Sequence, residues 1–210
     1  MQRLPDTTVD RLPVYLRALE RVCESGATVV SSEEIAKLCG TNAAQVRKDL
    51  SFLGELGTRG LGYDPRSLAD HIAQALGLTK PRKVVIVGFG RLGGALSSYI
   101  GLIGRGFEVV AVVDSDPAKV GTVVGGLTVA PVGDLERVVR ETGAEIAVVT
   151  TPPDVAQHVA EQICRAGIRA VLNFAPVQLE LRCDVKVRQV DLSVGMQVLS
   201  YHLEHGVATA

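Results

Sequence analysis

A chain of 210 residues is long enough for one large or two small domains. Its 47% hydrophobic and 21% charged content excludes a disordered chain, and no apolar run approaches the ~18 residues of a membrane span. The net charge of −1 carries no global bias toward nucleic acid: residues 1–80 hold ten Lys/Arg and ten Asp/Glu, so any case for DNA binding must come from local placement.

The first ten residues, MQRLPDTTVD, lack the basic-then-apolar order of a secretory signal, and a cytoplasmic location is expected. Residues 11–24 place Leu12, Tyr15, Leu16, Leu19 and Val22 near one helical face, with Pro13 suited to a first turn. Ser31 followed by Glu34 forms a capping box for a short helix over 33–38 that stops near Gly40. Thr41 or Asn42 caps a third helix over 43–56, with Val46, Leu50 and Leu53 inward. Two short capped helices joined by CGTN read as a helix-turn-helix. The stretch GTRGLGYDP has glycines at 57, 60 and 62 around Arg59 and reads as the wing of a winged helix. A helix over 67–76 leads to Lys80-Pro81, where the linker is placed.

From Lys83 the rhythm changes. Strands are expected at 83–87, 108–113, 127–130, 146–149 and 170–172, alternating with helices at 92–103, 133–142 and 155–166. Near-continuous apolar strands in such alternation predict a parallel sheet covered on both faces. Another short strand at 185–190 precedes a final helix over 193–204 whose apolar positions follow a completed sheet, so its partner is expected in a second subunit. The fold class is therefore α/β: a winged helix-turn-helix domain over 1–80, a Rossmann-type parallel-sheet domain over 81–192 and a C-terminal helix over 193–210.

Residues 84–96, VVIVGFGRLGGAL, run a strand into Gly-x-Gly-x-x-Gly and a helix start. Gly88, Gly90 and Gly93 suit a tight turn, a close approach to phosphate and helix-on-strand packing, with Phe89, Arg91 and Leu92 between them. The helix start aims amide groups at a pyrophosphate. Asp114 ends the next strand 21 residues after Gly93, where an acid binds ribose hydroxyls and repels a 2′-phosphate. Lys119 either approaches the ribose or is a solvated surface lysine. Thr150, Thr151 and Pro152 end the fourth strand and Asn173 the fifth, at the carboxyl edge where ligands bind in open α/β sheets. The cofactor expected is NADH and NAD, with coenzyme A as the competing nucleotide.

Hydride chemistry usually needs a proton donor near the nicotinamide. His71 precedes the sheet, His158 lies on a helix expected outside it, and His202 and His205 lie in the terminal helix. No Tyr-x-x-x-Lys pair occurs, and some 35 residues after the sheet are too few for a substrate domain. No catalytic residue and no metal site are expected. The rival class is an NAD-dependent oxidoreductase with an appended helical domain. The four cysteines, Cys23, Cys39, Cys164 and Cys183, form no Cys-x-x-Cys pair and are read as small hydrophobes, not a metal site or disulfide framework.

In a helix-turn-helix the second helix presents its first residues to the major groove. These are Asn42, Ala43, Gln45, Arg47 and Lys48. Gln45 suits a base edge, while Arg47 and Lys48 suit a base or phosphates. Arg59 on the wing suits a narrow minor groove.

The segments RLPVYLRALE, SSEEIAKLCGTNAAQVRKDLSFLGELGTRGLGY, VGFGRLGGAL, NFAPV and VDLSVGMQVLSY together resemble the Rex family of redox-sensing transcriptional repressors along nearly the whole chain. The resemblance implies a homodimer binding an inverted-repeat operator in double-stranded DNA, Rossmann domains that take NADH and NAD, a C-terminal helix swapped between subunits, and release of DNA by NADH. It implies that Gly88 to Gly93 hold the pyrophosphate and Asp114 the ribose. Arg91, Tyr99 and Asp191 would belong to a polar set near the subunit interface. Leu192 departs from members that place a phenylalanine beside the nicotinamide.

Overall fold

The structure, a computed structural model, describes residues 3–58, 60–98 and 105–206. Its contacts divide the chain into two units, Met1–Lys80 and Pro81–Ala210.

The first unit is helical. Helix α1 spans Asp6–Glu24, five residues longer at its start than expected, so Pro13 lies inside the helix and not in its first turn. Pro13 is exposed, which keeps its ring away from the core. Leu12, Tyr15 and Leu19 are buried against Ile35 of α2 (Ser32–Cys39), Val46 and Leu50 of α3 (Ala43–Ser51), and Leu68 and Ile72 of α4 (Pro65–Ala75). The Ser31–Glu34 capping box forms in both directions, and Gly40 closes α2 in the left-handed region. Helix α3 ends at Ser51, not at residue 56. The Phe52 amide folds back to the Asp49 carbonyl, and Gly54 then takes φ +114°. The wing region is tied by two antiparallel bridges, Val30 to Tyr63 and Thr58 to Gly62. Position 62 requires glycine: a Cβ there would lie 2.6 Å from the Val30 carbonyl oxygen.

The second unit is built on a six-stranded parallel sheet of order β5-β2-β1-β6-β7-β8. The strands are β1 (Arg82–Val87), β2 (Phe107–Asp114), β5 (Ala130–Pro131), β6 (Ile146–Val149), β7 (Ala170–Asn173) and β8 (Lys186–Gln189). The expected strand over 127–130 is divided. Leu127–Thr128 (β4) pairs antiparallel with Val123–Val124 (β3), and only Ala130–Pro131 joins the sheet. Along β1, Val84 and Ile86 face one side with Leu96 of α5 (Arg91–Ser97). Val85 and Val87 face the other with α6 (Leu135–Thr142) and α7 (Pro153–Arg165). Both faces are thus covered, as a parallel sheet requires. The chain order reverses between β1 and β6, which opens a crevice at the carboxyl ends of the strands.

Helix α8 (Leu192–His205) contains no buried residue; Leu192, Met196 and Leu203 are 74%, 67% and 85% exposed.

The cysteine expectation is corrected. Cys164, at the end of α7, and Cys183, before β8, form a disulfide with Cα atoms 6.3 Å apart. After β7 the chain doubles back along α7, a tertiary approach that no local cysteine spacing announces. Cys23 and Cys39 are free and half-buried.

Candidate functional site

The apolar strand β1 ends in Gly88, whose φ of +107° makes the turn, and whose amide donates to the Val113 carbonyl at 2.8 Å. A Cβ on Gly93 would lie 1.8 Å from the Gly88 carbonyl oxygen, so only glycine lets α5 approach β1 this closely. Gly90, by contrast, has open space around it. No side chain caps the start of α5, so its first amide groups remain available to an anion.

Asp114 ends β2 and is 7% exposed. One carboxylate oxygen accepts the Phe89 amide at 2.5 Å, the other accepts the Asp116 amide at 2.8 Å, and the Lys119 ammonium lies 3.4 Å away. Burial pushes this carboxyl up, but the two amides and Lys119 outweigh it and hold the group below the usual carboxylate range. Asp114 is therefore an anion that also pins the glycine loop. Thr150 secures that loop from β6, its hydroxyl donating to the Gly88 carbonyl at 2.7 Å.

A cavity of about 810 Å³ brings together Gly88, Gly90, Asp114, Lys119, Thr150, Thr151 and Pro152 from the residues singled out in the sequence. The Thr151 hydroxyl is buried there without a partner among the described residues, a polar atom left for a ligand. Phe89, Arg91, Leu92 and Gly93 occupy the adjoining loop and first turn of α5. Two residues missed in the sequence also line the cavity, His158 and Gln162 of α7. His158 is exposed on α7, which packs on a face of the sheet as expected. Its spacing of four from Gln162, one turn beyond the Thr-Thr-Pro-Pro corner, is the signal that would have found the pair.

Asn173, expected among the cofactor residues, lies at the end of β7. It is fully buried, and its amide is spent on the carbonyls of Ala175 and Val177, on Gln189 and on the Ala175 amide. These bonds shape the turn after β7. Asp191 and Leu192 do not line the cavity within this chain. Asp191 caps α8, accepting from the Ser193 amide at 2.8 Å and hydroxyl at 2.6 Å, which lowers its pKa. Arg59 and Tyr99 lie outside the described residues.

In the first unit, Asn42 caps α3 by accepting the Gln45 amide at 2.9 Å. Arg47 and Lys48 are exposed, Ala43 half-buried. Arg47 pairs with Glu33 at 2.9 Å and donates to the Ser32 hydroxyl at 2.8 Å, across the turn from α2. Asp49 lies on the inner side of α3. It is fully buried and accepts from Thr8, Arg11, Tyr15 and Gln45. Burial alone would raise its pKa, but Arg11 and the two hydroxyls bring it down to about 2. Burial pushes the Tyr15 hydroxyl up to about 12, with the bond to Asp49 adding to it. Gln45, expected to read a base edge, donates its amide nitrogen to Asp49 at 3.0 Å, on the inner side of α3.

These local arrangements have counterparts in known proteins. Residues 3–51 match the family model described as "Putative DNA-binding protein N-terminus", and residues 79–177 match the one described as "CoA binding domain". The redox-sensing transcriptional repressor Rex of Streptomyces griseus is 48% identical over 199 residues, 95% of this chain and 79% of the relative. That of Carboxydothermus hydrogenoformans is 44% identical over 201 residues, 96% and 97% of the two chains. Among solved structures, the Rex-family repressor RSP in complex with β-NAD+ and operator DNA superposes with a TM-score of 0.91 at 31% identity, covering 98% of this chain and 94% of that one. RSP in complex with β-NADH gives 0.88 at 30% identity, covering 98% and 96%. The chain belongs to the Rex family of redox-sensing transcriptional repressors.

Proposed function

We propose that this protein is a redox-sensing transcriptional repressor, a homodimer that binds an inverted-repeat operator in double-stranded DNA and leaves it when NADH replaces NAD. The observation that carries the reading is the Asp114 carboxylate. It is ionised, it closes the nucleotide cavity, and it is bonded to the glycine loop. Such a group favours free ribose hydroxyls and repels a 2′-phosphate.

NAD and NADH differ by a hydride, which makes the nicotinamide cationic or neutral. A dry pocket penalises the unpaired cation. The neutral ring lets two subunits close, which alters the spacing of two α3 helices that must meet half-sites about 34 Å apart or a multiple of it. Cofactor and DNA then oppose each other through one reciprocal coupling of roughly 1–3 kcal/mol. Residues 1–80 act as the DNA-binding domain and 81–192 as the NAD(H) domain. Arg47, Lys48 and Arg59 contact DNA. Gly88, Gly90, Asp114, Lys119, Thr150, Thr151 and Pro152 hold the cofactor, with Arg91, Tyr99, Asp191 and Leu192 near the nicotinamide in the dimer. The exposed apolar residues of α8 supply the dimer contact. The protein acts in the cytoplasm and catalyses no turnover, a reading supported by relatives that are repressors.

The test is a DNA-shift titration on an inverted-repeat probe with NADH, NAD, NADPH and coenzyme A. NADH should release the probe at lower concentration than the others. The match of 79–177 to a coenzyme A-binding model favours a second reading, and release by coenzyme A alone would select it. Substrate-dependent turnover without a sequence-specific shift would select an oxidoreductase.

A further inference from the structure

We propose that Cys164 and Cys183 form a reversible dithiol–disulfide site, a second redox input into the nucleotide-binding unit. It goes beyond the function proposed above, because it senses thiol oxidants and not the nicotinamide.

The two sulfurs join elements 19 residues apart, the last turn of α7 and the segment that leads into β8. Cys183 is exposed and Cys164 half-buried. Both line an open surface depression of about 900 Å³, together with Gln157, Glu161 and Arg182. A small reagent can therefore reach the pair from solvent, unlike a disulfide sealed in a core.

The covalent tie is not the only fastening on this stretch. One helical turn or more before Cys164, the Gln157 amide grips the Glu180 backbone from both ends. Its nitrogen donates to the Glu180 carbonyl at 2.8 Å, and its oxygen accepts the Glu180 amide at 3.0 Å. The other end of the stretch reaches the cofactor site. Pro176 lines the nucleotide cavity, and the Val177 carbonyl is held by Asn173 at 2.9 Å. Residues 176–183 thus run from the cavity wall to the disulfide. Closing the bond removes conformational freedom from this wall before the cofactor arrives, so less ordering remains to oppose binding.

The chemistry balances with a peroxide as oxidant and a dithiol as reductant. The Cys183 thiolate attacks one oxygen of hydrogen peroxide, breaking the O–O bond to give a sulfenic acid and, after protonation, one water. The Cys164 thiolate then attacks the Cys183 sulfur, forming the S–S bond and expelling the second oxygen as water. Two thiols are oxidised by two electrons and one peroxide is reduced to two waters. A dithiol returns both thiols through a mixed disulfide.

The full-length protein is equilibrated with hydrogen peroxide or with dithiothreitol, alkylated and digested for mass spectrometry. Peroxide should remove the free thiols of Cys164 and Cys183 as a linked pair, and dithiothreitol should restore both. Limited trypsinolysis after Arg182 should be at least ~3-fold faster in the reduced protein, since opening of the strap then lacks a covalent limit. Calorimetry should show NADH bound about 3-fold or more weakly by the reduced protein, in line with a lost pre-organisation. The double variant Cys164→Ser, Cys183→Ser should behave as the reduced form and ignore peroxide. Thiols that stay separately alkylatable after peroxide would overturn the site. Equal trypsinolysis and equal NADH affinity in both states would overturn its role as an input. If NADH fails to bind in either state, the proposed function falls, while the thiol and trypsin readouts still decide this proposal.

Discussion

Arg11 of α1 grips Asp49 of α3 with two bonds, Nε to Oδ2 at 2.6 Å and Nη2 to Oδ1 at 2.8 Å. This fork, with Thr8 and Tyr15, fixes the rotation of α3 about its own axis. It turns Gln45 inward and leaves Arg47 and Lys48 exposed. The exposure of Arg47 and Lys48, the residues proposed to contact DNA, therefore depends on a carboxylate buried on the inner side of α3.

Replacing Asp49 by alanine strands the Thr8 and Tyr15 hydroxyls and the inner amide of Gln45. Breaking a buried pair this way should cost about 2–3 kcal/mol, toward the low end because Arg11 retains some contact with water. Urea unfolding would measure it, and an unchanged midpoint would remove Asp49 from the framework of the unit.

The same group sets a pH dependence. Asp49 titrates at about 2 when folded, against an ordinary value of 3.8. Its folded pKa is depressed, so its contribution, on the order of 2 kcal/mol, is complete above about pH 4 and fades as pH falls toward 2. The stability gap between wild type and Asp49→Asn should narrow over that window. A gap that persists at pH 2 would mean that hydrogen-bond geometry, not charge, holds the helix.

Arg47→Ala and Lys48→Ala should lower operator affinity by ~1–3 kcal/mol if either reads a base, or flatten the salt dependence if it holds phosphate. The Arg47–Glu33 pair is exposed on both sides, so unfolding should be nearly unaffected. Glu33→Gln releases Arg47 from its competitor and should tighten DNA binding. Full operator affinity in the Arg47, Lys48 double alanine variant would place another surface in the groove.

Asp114→Ala removes the proposed ribose acceptor and the bond that holds the Phe89 amide. NADH should bind ~1.5–3 kcal/mol more weakly, the usual scale for a charged hydrogen bond, and its margin over NADPH should narrow. Calorimetry with both cofactors decides this. An unchanged preference for NADH would assign discrimination to another residue.

Deleting residues 191–210 removes α8 while leaving β8 and the sheet core in place. Sedimentation should show a monomer with a folded nucleotide unit that binds the operator weakly and does not couple NADH to release. A truncated chain that stays a tight dimer would move the dimer contact elsewhere.

What was legible in the sequence rests on short-range physics. Ser31 and Glu34 stand at capping-box spacing, the β-branched run 84–87 ends in a glycine turn, and Asp114 follows Gly93 by one strand–helix period. The first two are decided within a turn or a strand, where backbone sterics and local hydrogen bonds leave little choice, and the third follows from the fixed period of a strand–helix–strand unit. The tertiary structure alone decided where polar side chains spend their bonds. Gln45 and Asn173 carry groups suited to a ligand, yet Asp49 and the turn after β7 claim them. Arg11 meets Asp49 across 38 residues and Cys164 meets Cys183 across 19, separations at which packing and not spacing sets the partner. The strand over 127–130 was divided for a related reason. Ladder pairing with Val123–Val124 captures Leu127–Thr128, and a period-two pattern does not say which neighbour a strand will take.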